Sequence, residues 1–181
     1  MPQQPITRHG ELADVWAFQQ KFNVPMASVP SFLDRETFDF RLKFLQEELH
    51  EFFVAHTSRD MHGAADALVD LAYVLYGTAL MMGLGDAWPQ LWAEVQRANM
   101  SKVRAAHAGE SKRESTLDVV KPAGWKPPDH SAALGAGLWH VFDATTAAYI
   151  TSTERPVCLK HCTGGGPCYC PESAAAQKTE D

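Results

Sequence analysis

Apolar positions recur at helical spacing through the first hundred residues of this chain. In 11–22 (ELADVWAFQQKF), Leu12, Val15, Trp16, Phe18 and Phe22 give a short helix a broad apolar side. Pro25 and Pro30 then impose an extended connection, because each fixes its own φ and biases the residue before it away from the α region. Asp34 is a candidate N-cap for a second helix over 35–56, with Phe38, Leu42, Phe44, Leu45, Leu49, Phe52 and Phe53 as its apolar members. After the polar turn HTSRD, a third helix is expected over 61–82, ended by Gly83 and Gly85. Asp86 is the candidate cap of a fourth helix over 87–100, where Pro89 falls in the tolerant first turn. No strand alternation or hairpin signal interrupts these residues. The pattern predicts an all-α, four-helix body.

Beyond Val103 the character changes. Residues 104–130 are polar and rich in Gly and Pro, and are expected to form an ordered but irregular arm ending in KPAGWKPPDH. Residues 131–150 (SAALGAGLWHVFDATTAAYI) are expected to add one more helix, and the tail from 171 onward is expected to be disordered. This divides the chain into a main domain over 1–130 and an extension over 131–181.

Composition narrows the partners. The 181 residues carry 16 Lys+Arg against 22 Asp+Glu, a net charge of −6, which argues against a nucleic-acid polymer as ligand. Residues 1–10 lack the apolar core of a secretory signal. The apolar stretch 67–85 is long enough to span a bilayer, but it contains Asp70, so a buried helix is the better reading and no membrane partner is expected. The first 157 residues contain no cysteine; all four fall within 158–170. No disulfide staples the main body, and a reducing, cytoplasmic setting is expected.

The chemistry concentrates in Gln46-Glu47-Glu48-Leu49-His50-Glu51. At about 100° per residue, Glu48 and Glu51 lie about 60° apart, and Glu47 and Glu51 about 40° apart, on one helix face. Asp66 and Asp70 of the third helix are four apart and share a stripe with His62, Tyr73 and Gly77. If the two stripes face each other, five carboxylates cannot all stay ionised without counter-charge. Hard divalent ions, Mg²⁺ or Mn²⁺, supply that charge and prefer such oxygen ligands. The competing reading is a set of solvated surface acids. Glu47-x-x-His50 also matches the Glu-x-x-His element of di-iron bundles, but no second copy exists, and His50 reads as a helix-surface histidine.

The motifs DVWAFQQKFNVP, RLKFLQEELHEF (with its Glu-Glu-x-x-Glu), ADALVDLAYVLYGTALMMGL, VQRANMSKV and KPAGWKPPD occur in this order. Over about residues 11–130 the chain thereby resembles the MazG-like all-α nucleoside triphosphate pyrophosphohydrolases, especially their small phage and bacterial versions. The wider family reads Glu-x-x-Glu followed by Glu-x-x-Asp, whereas here Ala67 stands three before Asp70 and Asp66 stands four before. The resemblance implies a four-helix fold and cleavage of a nucleoside triphosphate to the monophosphate and pyrophosphate. It implies catalytic and metal-holding roles for Glu48, Glu51, Asp70 and Glu47, with Asp66 as a further metal ligand. Lys102, Arg97 and Asn99 become candidates for the phosphates or sugar, against ordinary helix-end capping as the alternative. Trp16 is a candidate for base stacking, or else a core residue. Arg41 is a candidate for orienting Glu48 or touching phosphate, or else an exposed helix arginine. The small phage-type members suggest dGTP as substrate, and the family implies a homo-oligomer, dimer or tetramer.

Cys158, Cys162, Cys168 and Cys170, with His161, lie beyond the resemblance. They suit a tetrahedral Zn²⁺ site or a flexible reduced tail, and their spacing matches no standard zinc module. The alternative to an enzyme is a non-catalytic helical interaction protein that docks through this Cys-rich tail.

Overall fold

The computed structural model describes residues 10–135, 139–145 and 148–152. Its four long helices stand where the periodicity placed them: α1 (Glu11–Lys21), α2 (Arg35–Thr57), α3 (Met61–Met81) and α4 (Trp88–Met100). The all-α, four-helix architecture is therefore as expected. Helix α3 is the central element, packing most extensively on α2 and next on α1. The core forms around Leu12, Val15 and Leu80, with Trp16, Met26, Tyr73, Tyr76 and Trp88 packed against them. Trp88 ties α4 to α3 through an edge contact with Tyr76 at 5.8 Å. By length and composition α3 could cross a bilayer, yet it carries Asp66 and Asp70 and packs between two other helices.

Local chemistry sets the helix ends. Asp34 caps α2, accepting from the Thr37 amide at 2.9 Å and the Thr37 hydroxyl at 2.7 Å. Asp60 caps α3 through the Gly63 amide at 3.1 Å. The C-terminus of α3 is a Schellman turn: Gly83 donates to Leu80 O at 3.0 Å and Leu84 to Ala79 O at 2.9 Å, with Gly83 at φ +70°. Asp86 does not cap α4; Ala87 occupies the N-cap position, with no side-chain cap. Pro89 has no N–H, which removes one of the two amides (N2 or N3) that a cap at 86 could reach.

The expected fifth helix over 131–150 is corrected. Among the described residues of this range only Ser131–Leu134 (α5) is helical, ended by Gly135 at φ +72°. Trp139–Asp143 and Ala148–Ser152 pair antiparallel, and the first of them runs parallel to Phe32–Leu33, giving a three-stranded sheet. Their β-branched and aromatic content favours strands over a helix. Within the otherwise irregular arm, Val103–Arg104 and Val119–Val120 form a short antiparallel ladder. Asp34 joins the two regions, because its carboxylate also accepts from the Ala144 amide at 3.1 Å. Burial alone would raise the Asp34 pKa, but hydrogen bonds from Thr37, Ala144 and Glu36 overcome it and hold the carboxyl below its ordinary value. Asp34→Ala is expected to destabilise the protein by about 1 kcal/mol, read as a lower denaturant midpoint. Because the folded pKa is depressed, Asp34's contribution should be lost as pH falls through it. The cysteine cluster and the tail from 171 lie outside the described residues.

Candidate active site

Glu48 is buried, at 7% exposure, while Glu47, Glu51, Asp66 and Asp70 are exposed around it. Burial pushes the Glu48 pKa up, and the charges of Glu51, Asp70, Glu47 and Asp66 push it further. Acids of both α2 and α3 therefore bear on Glu48. One Glu48 oxygen, Oε2, is buried without a hydrogen-bond partner. Among the described residues no three His, Cys, Asp or Glu side chains are drawn into one metal cluster. Mutual repulsion between carboxylates opposes such crowding. One premise needs correcting: Asp66 and Asp70 do not lie in a wholly buried helix, since Leu68 and Val69 beside them are exposed too. Among the described residues α3 packs on α2 and α1, while Leu68, Val69 and Leu75 stay exposed. Ala67, where the wider family pattern has a carboxylate, is buried.

A cleft of about 250 Å³ adjoins these acids. Val15, Phe18 and Gln19 of α1, Arg41, Phe44 and Glu48 of α2, and Asp70, Tyr73, Val74 and Gly77 of α3 line it. Asp70, Tyr73 and Gly77 share it as their common stripe predicts. His62 is exposed and takes no part in it. Arg41 is buried, contrary to the exposed alternative, and burial lowers its pKa. Its hydrogen bonds run to Val74 O at 2.6 Å and Thr78 Oγ1 at 3.0 Å, joining α2 to α3 instead of orienting Glu48. Gly77 makes room: a Cβ there would stand 3.1 Å from Arg41 Nη2 and 3.2 Å from Gln19 Nε2. Tyr73 is edge-on to Phe18 at 5.5 Å, and burial followed by the Asp14 charge raises its pKa. Trp16 packs against the core cluster and does not line the cleft. His50 is exposed and stacks on Phe53, as a surface histidine does.

Gln19 was not foreseen as a site residue. Its signal was present: it falls on the buried stripe of α1, four after Val15, where an apolar residue would ordinarily stand.

Residues 15–99 match the family model described as phosphoribosyl-ATP pyrophosphohydrolase. Over these residues, fewer than half of the 181, the chain is similar to that pyrophosphohydrolase family. The match contains the five acids and every residue lining the cleft. The family hydrolyses phosphoanhydride bonds in nucleotides. No curated protein matches this chain.

The arm lies against the last turns of α4. Trp125 Nε1 donates to Ala98 O at 2.8 Å, Arg97 Nη2 to Pro127 O at 3.0 Å, and the Asp129 amide to Glu94 at 3.2 Å. Lys102 donates to Asn99 Oδ1 at 2.8 Å. The Lys121 and Lys102 ammonium groups lie 4.4 Å and 6.0 Å from the Trp125 ring centre. So Arg97, Asn99 and Lys102 are brought together with the arm, and none of them lines the cleft. Glu94 is held below its ordinary pKa, first by the hydrogen bond from Arg97. Trp125→Ala is expected to release the arm, seen as faster proteolysis within 104–130 at a melting temperature little changed.

Proposed function

We propose that the chain hydrolyses a nucleoside triphosphate between its α and β phosphates, giving the monophosphate and pyrophosphate. The observation that carries this is Glu48: a buried carboxylate with a bare oxygen, ringed by four further acids from two helices, inside the segment that is similar to a pyrophosphohydrolase family. The donor set consists of hard oxygens and suits Mg²⁺ or Mn²⁺. Glu48, Glu51 and Asp70 would hold the ions, with Glu47 and Asp66 as exposed additional ligands. Held there, such ions would supply charge neutralisation for the triphosphate, polarisation of the α phosphate and a more acidic water. The chain's own residues supply the rest. The five acids fix where positive charge can collect, and an exposed Glu of the set, Glu47 or Glu51, takes the proton of the attacking water. Asn99, Lys102 and Arg97 lie on one helix end and supply donors for phosphate or sugar. No covalent nucleophile is needed. The first-choice substrate is dGTP, and the setting proposed is cytoplasmic.

A second copy of the chain is proposed to cover the open side of α2 and α3. Leu49 and Phe53 of α2 and Leu68 and Val69 of α3 are exposed, and exposed apolar surface of this kind marks interaction sites. Sedimentation should give a dimer or tetramer; a strict monomer at micromolar concentration would contradict it.

The test is a screen of the deoxy- and ribonucleoside triphosphates with Mg²⁺ or Mn²⁺. Monophosphate and pyrophosphate are expected. Diphosphate with orthophosphate would refute the assigned bond. In the same protein either ion should raise the melting temperature, because it binds the folded state alone.

A further inference from the structure

The Gln19 amide is used at one end only. Gln19 is 3% exposed. Its Nε2 donates to Gly77 O at 3.0 Å, and that carbonyl can only accept, so the amide nitrogen must face it. The other end, Oε1, is buried and has no partner. A buried acceptor left bare is unfavourable, and natural proteins keep few of them. This one sits on a residue that lines the cleft beside Glu48 and Asp70.

The neighbours limit what can satisfy it. Arg41 reaches over the same glycine, and two of its five N–H groups account for its bonds to Thr78 and Val74. Phe18, Phe44 and Tyr73 supply aromatic surface in the same cleft. An unsatisfied acceptor, a nearby guanidinium donor and aromatic walls suit a flat heterocycle that carries N–H and acceptor atoms on one edge, as nucleobases do. The volume, about 250 Å³, falls short of the ~300–1,000 Å³ of pockets that enclose drug-sized ligands, so the cleft takes part of a nucleotide.

We propose that this cleft holds the base of the substrate, with Gln19 Oε1 accepting a hydrogen bond from an N–H on the base edge and Arg41 donating to an acceptor beside it. Gln19 is thereby a specificity-determining residue, and Gly77 is the gap that lets both side chains reach the base. The inference rests on the pyrophosphohydrolase reading.

The test compares kcat/KM for dATP, dCTP, dGTP and dTTP, and for the 3′-deoxy form of the best of them, in the wild type and in Gln19→Met. Met keeps the bulk of the side chain and removes the acceptor. The wild type is expected to prefer its best base over its worst by tenfold or more. In Gln19→Met that ratio should collapse to about threefold or less, by loss on the best base. The melting temperature reports that the variant is folded. Should Gln19→Met not fold, Gly77→Ala, whose methyl presses on both side chains, is read in the same way. An equal loss on all four bases would make Gln19 merely structural and overturn the proposal. So would absence of base preference in the wild type, or a variant that keeps base preference and loses only the penalty for the missing sugar hydroxyl. Turnover of no nucleotide at all would instead defeat the underlying pyrophosphohydrolase reading.

Discussion

Glu48→Gln is expected to lower kcat/KM by roughly a thousandfold. Gln matches the shape and removes the charge, so the loss reports on charge and not on packing. The stability of the same variant moves the other way. Glu48 is buried among four acids that raise its pKa. In the folded protein it keeps its proton to higher pH than in the unfolded chain. Its contribution to stability is therefore complete below the ordinary carboxylate pKa and is lost as pH rises through the raised one. Gln cannot ionise. In chelator, above that pH, the variant should melt at or above the wild-type temperature. The rise in melting temperature produced by Mg²⁺ or Mn²⁺ should be much reduced. A variant that keeps its activity would separate Glu48 from the chemistry, and one that melts well below the wild type would contradict the stability prediction.

Gly83→Ala is expected to be the most damaging small substitution to the fold. Gly83 sits at φ +70° at the end of α3, where a side chain costs about 1–2 kcal/mol. A Cβ there would also collide with the backbone carbonyl of Val29, which cannot swing aside as a flexible side chain would. That segment is tied to the same helix end, with Ala27 donating to Met81 O at 3.2 Å and Ser31 to Met82 O at 2.9 Å. The clash adds roughly 1–3 kcal/mol. A total near ~3 kcal/mol corresponds to a drop of roughly 6–12 °C in melting temperature for a domain of this size. Calorimetry on the purified variant checks it. A drop below about 2 °C would mean that the 27–31 segment gives way easily.

The sequence made some of this legible and hid the rest for physical reasons. The helices were readable because their apolar residues repeat every three or four positions and their ends carry Asp34 and Gly83. The sheet was not, because Phe32–Leu33 is too short to show alternation and finds its partner at Val141–Phe142, over a hundred residues away. The carboxylate set was readable from spacing alone, since i, i+3 and i+4 relations survive any tertiary arrangement. Burial was not: the helix around Asp66 and Asp70 is apolar in composition yet open on one side. Arg41 misled in the opposite direction. A helix arginine reads as solvated, and only the tertiary fold shows its guanidinium reaching Val74 O and Thr78. Gln19 could have been found from its place on the stripe, but its bare oxygen appears only once α1 meets α3.

The central claim is that the carboxylate group serves cleavage of the α–β phosphoanhydride. Phosphorus NMR of a reaction with the preferred triphosphate and Mg²⁺ tests it most directly, because each product has its own resonance. Pyrophosphate and the nucleoside monophosphate should appear in equal amounts in the wild type, and with Glu48→Gln both should form roughly a thousandfold more slowly. Orthophosphate with the nucleoside diphosphate, or equal turnover by both proteins, would contradict the account.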